Sequence, residues 1–186
     1  MQSISKALWI ILAVSLLTGA CKNDEQNVAP TDDNEAITTA ILSLTNATNA
    51  QDVVTATIEN LNATAPDFTK ATLNLKANAT YSGVVQLYDK TQTPTLDATA
   101  EIREKANEHL FIYTPSATSL LTVTLTDKDT NPAPGPYPIG LTFSLKAGPI
   151  ATGKLNVRLR HQPGAKNGTA TPGTDDLNVD YSVIIQ

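Results

Sequence analysis

The strict alternation of apolar and polar residues constrains the fold of this chain more than any other feature. The pattern is clearest in Leu121–Leu125, Leu155–Leu159 and Leu177–Ile185, where every second residue is apolar. A period of two is the spacing at which side chains emerge on the same face of a β-strand. One apolar face and one polar face are typical of half-buried antiparallel strands. The chain is therefore predicted to build its core from sheets.

The alternating segments predict nine strands and an all-β domain. Asn, Gly, Pro and Asp punctuate these segments at hairpin spacing. Little helical sequence separates them, which favours an antiparallel two-sheet β-sandwich of the immunoglobulin-like kind. The predicted strands lie near Ala36–Thr45, Val53–Asn60, Lys70–Ala77, Tyr81–Asp89, Leu110–Thr114, Leu120–Asp127, Ile139–Lys146, Gly153–His161 and Leu177–Ile185.

One short crossover helix is predicted between the fourth and fifth strands. Asp97 is a good N-cap, Glu101 lies in the first turns, and good helix formers continue to Lys105. Two or three helical turns at this place would carry the chain from one sheet to the other.

The N-terminus has the pattern of a secretion signal. Lys6 precedes Ala7–Leu17, an uncharged apolar run that is too short to cross a ~30 Å hydrocarbon core comfortably. Small residues then lead to Cys21, the only cysteine of the chain. This segment resembles the lipobox of bacterial lipoproteins, although Thr18 stands where Leu is usual. The resemblance implies cleavage before Cys21 and lipidation of its thiol; the alternative is an ordinary secretion signal with a chance cysteine.

These features predict three regions and a location. Residues 1–20 form a lipoprotein signal peptide, residues 21–35 a disordered polar tether, and residues 36–186 the sandwich domain. Lipid on Cys21 would anchor the protein in the outer membrane without a transmembrane helix. Lys22 followed by acidic residues resembles the surface-export signal of Bacteroidetes-type lipoproteins. Asn23 interrupts that signal, so the cell surface and the periplasmic face are both open.

The charge balance excludes one class of partner. The chain has 13 basic and 18 acidic side chains, a net charge of −5, and loss of a signal that carries Lys6 and no acid makes it −6. Nucleic-acid binding is driven by clustered Lys and Arg, so we expect no nucleic-acid partner. With its one cysteine used for lipid, the domain can form no internal disulfide.

Several segments of the chain together carry a resemblance to one family. They are, in order, Ile37–Thr39, Lys76–Gly83, the helical Asp97–His109 with Phe111–Tyr113 after it, and Leu159–Lys166. This set resembles the small β-rich lipoproteins of Bacteroidetes that often carry the label type 1 periplasmic binding fold. The label implies an α/β fold, whereas the alternation of this chain predicts strands alone. The resemblance implies no established activity.

The two histidines are candidate metal ligands. His109 opens a predicted strand and His161 ends another, so both could lie at one pole of the sandwich. With Glu108 they would form a metal or haem site, because imidazole and carboxylate suit Zn²⁺ or iron. The alternative is a pair of rim histidines that bond to backbone carbonyls.

A second candidate site is a calcium loop at Asp127, Asp129 and Asn131. Oxygen ligands at alternate positions are typical of such loops. Pro132 stands where the EF-hand pattern has Gly, and no Glu follows at the required distance. The alternative is a solvated turn that the Asp side chains cap.

A basic stripe is predicted on the outward face of one strand, at Lys154, Arg158 and Arg160. It could bind an anionic glycan or a partner protein. It could equally form cross-strand ion pairs with Asp180.

These patterns favour a non-catalytic binding or interaction module on the membrane. No nucleophile motif, paired-carboxylate signature or phosphate-binding loop is present. No cofactor is required, although a metal ion or haem is possible, and an outer-membrane receptor or a glycan are the expected partners. Two alternatives are a metal- or haem-capturing accessory lipoprotein of an outer-membrane importer and a small glycan hydrolase.

Overall fold

The alternating segments form the strands of two sheets that bury their apolar faces against each other. The computed structural model describes residues 35–186. The larger sheet contains β1 Thr39–Asn46, β2 Asn49–Glu59, β3 Asp67–Lys70, β5 Thr80–Asp89, β6 Leu96–Asp97, β8 Leu121–Leu125 and β9 Thr142–Ala147. The smaller sheet contains β4 Thr72–Leu75, β7 His109–Pro115, β10 Ala151–His161 and β11 Thr174–Ile185.

Antiparallel pairing dominates both sheets. The larger sheet has the order β3-β2-β1-β5-β9-β8, with β6 paired to β5, and the smaller sheet has the order β4-β11-β10-β7. The exception is β4, which runs parallel to the C-terminal strand β11. The predicted all-β two-sheet sandwich is confirmed, and a single parallel pair is added to it.

The polar and apolar phases of the strands separate as expected. Along β11, Leu177, Val179 and Tyr181 are buried, whereas Asp180 and Ser182 between and after them are exposed. The buried phase joins one hydrophobic core that draws residues from both sheets. Each fully buried Leu or Phe in this core contributes about 1.5–3 kcal/mol of transfer free energy.

A buried tyrosine connects the two sheets directly. Tyr181 of β11 is fully buried, and its hydroxyl donates to the backbone carbonyl of Ala40 in β1 at 3.1 Å. Burial raises the pKa of Tyr181, so this hydroxyl remains a proton donor at any physiological pH. The sandwich is thereby fixed by a hydrogen bond in addition to apolar packing.

The predicted crossover helix is confirmed as α1 Ala98–Glu104. The Asp97 carboxylate caps it by accepting from the N–H groups of Thr99 and Ala100. The Thr99 hydroxyl accepts from the Leu87 N–H at 2.7 Å, which ties the helix to β5. A 3₁₀ turn, Ala106–Glu108, then leads into β7. The helix and the turn therefore determine where β7 and its first residue, His109, begin.

One expectation needs correction. The described residues contain eleven strands, because β3 and the two-residue β6 were not among the nine predicted. The preference for strands over the α/β fold that the family label implies is confirmed, because the described residues between strands form loops apart from α1 and the 3₁₀ turn.

Some predictions fall outside the described residues. The signal peptide 1–20, Cys21 and the predicted tether as far as residue 34 lie there, whereas Glu35 is described. Within residues 35–186, α1 and the 3₁₀ turn are far shorter than the helix that a membrane crossing requires.

Candidate metal centre

The two histidines are neighbours on adjacent strands. His109 is the first residue of β7 and His161 is the last residue of β10, and the antiparallel register pairs them directly. Their imidazole rings stack, with centroids 4.8 Å apart and planes inclined by 8°. Both residues are buried. The structure thus brings together the two imidazoles that the sequence offers as ligands.

The tautomer of His109 follows from its backbone neighbour. Nδ1 lies 3.0 Å from the carbonyl oxygen of Lys105, which can only accept, so Nδ1 carries the proton. In the neutral ring, Nε2 then has an unprotonated lone pair. In metal-binding histidines, the ring nitrogen that does not bind the metal usually donates a hydrogen bond to a carbonyl or carboxylate, and this bond orients the ring. Nδ1 of His109 has that role here.

Asp176 completes a row of three polar side chains across β7, β10 and β11. Its Oδ2 lies 3.5 Å from His109 Nε2, and its side chain is completely buried. Within residues 35–186, neither carboxylate oxygen of Asp176 accepts a hydrogen bond, and His109 Nε2 has no hydrogen-bond partner either. Ligating atoms of His109, His161 and Asp176 all lie within 4.8 Å of one another.

A β-bulge places Asp176 in this row. The register of β10 and β11 shifts between two pairs, since Leu159 pairs with Leu177 but Arg160 pairs with Asp175. Asp176 is the extra residue on β11, outside the regular alternation. Bulges often redirect a side chain beside a functional site. The carboxylate therefore faces the histidines although the strand pattern alone would turn it to solvent.

Two further carboxylates flank the histidines. Glu108 Oε2 lies 3.6 Å from His161 Nε2, and its side chain is 41% exposed. Glu35 Oε1 lies 3.8 Å from His109 Nε2, and its side chain is only 9% exposed. Lys105 Nζ contacts the same Glu35 oxygen at 3.2 Å. Burial and a hydrogen bond to Glu35 raise the pKa of Glu101, which lies on the outer side of Glu35.

The electrostatics of this group require a cation. Three carboxylates, one ammonium group and two neutral imidazoles together carry two negative charges. His109 Nε2 faces the oxygens of Asp176 and Glu35, so lone pairs face one another in a buried space. Only a proton on Nε2 or a metal ion can make that contact favourable. The group is thus either a buried His109 imidazolium beside Asp176 and Glu35 or a metal centre.

The donor set suits a borderline transition metal. Imidazole nitrogen together with carboxylate oxygen is the ligand chemistry of Zn²⁺, whereas Ca²⁺ and Mg²⁺ prefer oxygen alone. Ligand atoms around tetrahedral Zn²⁺ lie roughly 3.3 Å apart, since Zn–N and Zn–O bonds measure ~2.0–2.1 Å. The ligand atoms now lie up to 4.8 Å apart and the ring planes are inclined by only 8°, so the two rings would have to tilt toward a common ion.

A cleft opens on the solvent side of the 3₁₀ turn. Its volume is about 520 Å³, and its lining includes Lys105, Asn107, Glu108 and, opposite them, Lys128. Glu108 belongs both to this cleft and to the surroundings of His161. The histidines themselves do not line the cleft, so Glu108 is the residue through which the two places adjoin.

The predicted calcium ligands bind donors of the chain itself. The Asp127 carboxylate accepts from the N–H groups of Gly140 at 2.7 Å and Thr142 at 3.1 Å. The Asp129 carboxylate accepts from Lys166 Nζ at 2.8 Å. Asn131 turns its amide N–H₂ toward Asp129, also at 2.8 Å. An ammonium group therefore lies where a calcium ion would bind Asp129.

The predicted basic stripe is largely paired. Lys154 Nζ lies 3.2 Å from Asp180, the expected cross-strand partner. Arg158 and Arg160 instead bind Asp175, and Arg160 is buried. These guanidinium groups hold the start of β11 next to the bulge, which is a structural role.

Sequence reasoning found three residues of this group, His109, His161 and Glu108, and missed Asp176 and Glu35. The adjacent acids Asp175 and Asp176 at the start of a strand were the available signal for Asp176. Glu35 belonged to the predicted tether, and its polar neighbours gave no sign that it packs on the domain.

No family model matches the chain, and no curated protein or solved structure is significantly similar to it.

Proposed function

We propose that this protein is a lipid-anchored metal-binding module that holds one Zn²⁺-class ion through His109, His161 and Asp176. The observation that carries the proposal is the Asp176 carboxylate, which is buried without a hydrogen-bond donor and lies 3.5 Å from His109 Nε2. An uncompensated buried carboxylate costs several kcal/mol, and such groups in proteins are paired or bind metal. A divalent ion would balance the two negative charges of the group.

Zn²⁺ is favoured over haem at this place. The two imidazole rings lie face to face on neighbouring strands. Axial ligands of one haem must approach the iron from opposite sides, each by the edge of its ring. Rings that stack directly on each other have no such approach, whereas binding of one small ion requires only that the two rings tilt toward a common point.

The location rests on the N-terminal sequence. The apolar run Ala7–Leu17 and the small residues before Cys21 support export and lipidation, in the outer membrane of a Bacteroidetes-like bacterium. A metal-binding lipoprotein in that location would suit an accessory role beside an outer-membrane importer. That importer and the glycan-hydrolase alternative stay predictions, and a turnover screen on glycans tests the second.

The test is metal binding by the full-length protein with a matched carboxylate control. Asp176→Asn and His109→Ala remove proposed ligands. Asp180→Asn changes a carboxylate on the same strand that is exposed and pairs with Lys154. After treatment with a chelator, the unaltered protein and Asp180→Asn are expected to bind one equivalent of Zn²⁺, and the two ligand variants to lose that binding. Equal binding by all four proteins, or none by the unaltered protein, would overturn the proposal.

A further inference from the structure

We propose that Glu35 is the fourth ligand of this centre and that metal binding fixes the segment through which the sandwich continues toward its N-terminus. The inference rests on the proposed function, because it assigns a further role within the same site. Sequence reasoning placed Glu35 in the tether and gave it no contact with the histidines.

The first support is the position of the Glu35 carboxylate. His109 Nε2 is flanked by Asp176 Oδ2 at 3.5 Å and by Glu35 Oε1 at 3.8 Å. Glu35 lies outside the group whose ligand atoms are within 4.8 Å of one another, so its carboxylate would have to move toward an ion bound to Nε2 and Asp176. The Glu35 side chain is 9% exposed, so it already covers the site.

The second support is coordination number. His109, His161 and Asp176 supply three ligands, and Zn²⁺ in proteins takes four. A fourth protein ligand gives a closed centre that retains its ion, whereas water in that position gives an open one. Glu108 is the competing carboxylate, but it faces only His161 and is 41% exposed.

The third support is the exposure of Lys105, the cation that now pairs with Glu35. Lys105 is 53% exposed, so solvent screens its attraction to Glu35, whereas Glu35 itself is 9% exposed and also shares a hydrogen bond with Glu101. The backbone carbonyl of Lys105 meanwhile orients His109. Glu35 can thus exchange Lys105 for the ion at little cost, while His109 stays in place.

The consequence concerns the chain that leads into the domain. Within the described residues, the backbone hydrogen bonds of this segment begin at Thr38, whose N–H donates to Tyr88 at 2.9 Å. Glu35 is three residues upstream and is held by its side chain. Ile37 is buried in the core and Thr38 is hydrogen-bonded, so coordination of Glu35 would make this segment, residues 35–38, open less often when the ion is bound.

The experiment compares Glu35→Gln with Glu108→Gln in the full-length protein. Zn²⁺ affinity and dissociation rate are measured by competition with a coloured chelator, and amide hydrogen exchange is followed at residues 35–38. Glu35→Gln is expected to weaken Zn²⁺ binding by at least roughly 10–100-fold. That is the loss typical when a residue that hydrogen-bonds a metal ligand is replaced, and loss of a ligand itself should be no smaller. Glu108→Gln is expected to bind like the unaltered protein. Added Zn²⁺ should slow exchange at residues 35–38 in Glu108→Gln but not in Glu35→Gln.

The outcomes separate the two proposals. If the unaltered protein binds Zn²⁺ through Asp176, and Glu35→Gln binds equally well with the same slowing of exchange, Glu35 is no ligand and only this inference fails. If Glu108→Gln is the variant that loses affinity, the fourth ligand is Glu108 and the inference also fails. If the unaltered protein binds no Zn²⁺ at all, the proposed function itself fails. Circular dichroism confirms that each variant is folded.

Discussion

The imidazole rings of His109 and His161 stack on each other across β7 and β10, with their centroids 4.8 Å apart. Two imidazolium ions at that distance would repel each other, particularly because both residues are buried. Neutral imidazole is the form that binds a metal ion, so this pairing favours coordination over a pair of protonated histidines.

Asp176→Asn should stabilise the metal-free protein while it abolishes Zn²⁺ binding. The native carboxylate is buried without a hydrogen-bond donor, and replacement by a neutral amide removes the desolvation cost of its charge. We expect the free energy of unfolding to rise by about 1–3 kcal/mol at pH 8, measured by urea denaturation with a chelator present. A fall in stability would instead mean that Asp176 pairs with a protonated His109.

Lys166 should be essential for stability. Its ammonium group is buried with the Asp129 carboxylate at 2.8 Å, and it also donates to the Ala106 carbonyl in the turn before His109. Lys166→Met leaves the Asp129 charge buried and alone, which should cost about 3–5 kcal/mol of unfolding free energy. Lys154→Met is the control, since its pair with Asp180 is exposed and contributes about 0–1 kcal/mol. Urea denaturation of both variants gives the comparison, and an equal effect would contradict it.

The same ion pair makes stability depend on acid. Burial alone would raise the pKa of Asp129, but Lys166, the Tyr137 N–H and Asn131 hold this pKa below its ordinary value. In the unfolded chain an Asp titrates near ~3.9, so the stabilisation is complete above that pH and is lost as the pH falls through the lower folded pKa. Unfolding free energies measured from pH 7 to pH 2 should fall less steeply at the acidic end in Asp129→Asn than in the unaltered protein. Parallel profiles would contradict this reasoning.

Two glycines with positive φ should respond differently to alanine. Gly164 has a φ of +64°, and a β-carbon there would meet nothing within 4 Å, so Gly164→Ala should cost about 1–2 kcal/mol for the left-handed backbone alone. Gly173 has a φ of +79°, and its β-carbon would clash with the backbone carbonyl of His161. Gly173→Ala should therefore cost more and should also weaken Zn²⁺ binding, because it displaces the start of β11. Urea denaturation and metal titration of both variants test this, and equal effects would contradict it.

Cys21→Ser should release the protein from the membrane. Lipid on the thiol would provide the attachment, since a diacylglycerol and an acyl chain bury enough CH₂ groups, at about 0.8 kcal/mol each, to hold the protein permanently. Mass spectrometry of the native protein should find a lipid-modified N-terminal Cys21, and fractionation should find the variant in the soluble fraction. An unmodified Cys21 in the native product would contradict the anchor.

The fold was predictable because it depends on a local pattern that survives in the structure. The alternating apolar and polar residues of β11 are buried and exposed in turn, and Asp97 caps the helix as expected. The strand β4 was predicted within Lys70–Ala77, but its parallel pairing with β11 was not. The short strands β3 and β6 were also missed, because short strands depend on their neighbours more than on their own residues. Edge pairing of this kind is decided by tertiary contacts.

The candidate site was predictable only in part, for a similar reason. His109 and His161 lie at strand ends, so a common pole followed from the hairpin pattern, and the structure places them in register. Asp176 depends on a bulge that shifts the register by one residue, and no local pattern announces a bulge. Glu35 contacts residues 66 or more positions away in the chain, beyond the range of any period-two argument.

The most direct test of the metal centre is a nitrogen-15 NMR spectrum of the imidazoles during a Zn²⁺ titration. The full-length chain has only two histidines, so both rings can be assigned without ambiguity. Before Zn²⁺ is added, His109 should show a proton on Nδ1 and none on Nε2. At one equivalent of Zn²⁺, the signals of both rings should shift together and then stop changing. Imidazole signals that do not respond to Zn²⁺, or an Nε2 of His109 that stays protonated at pH 8, would contradict the proposed centre.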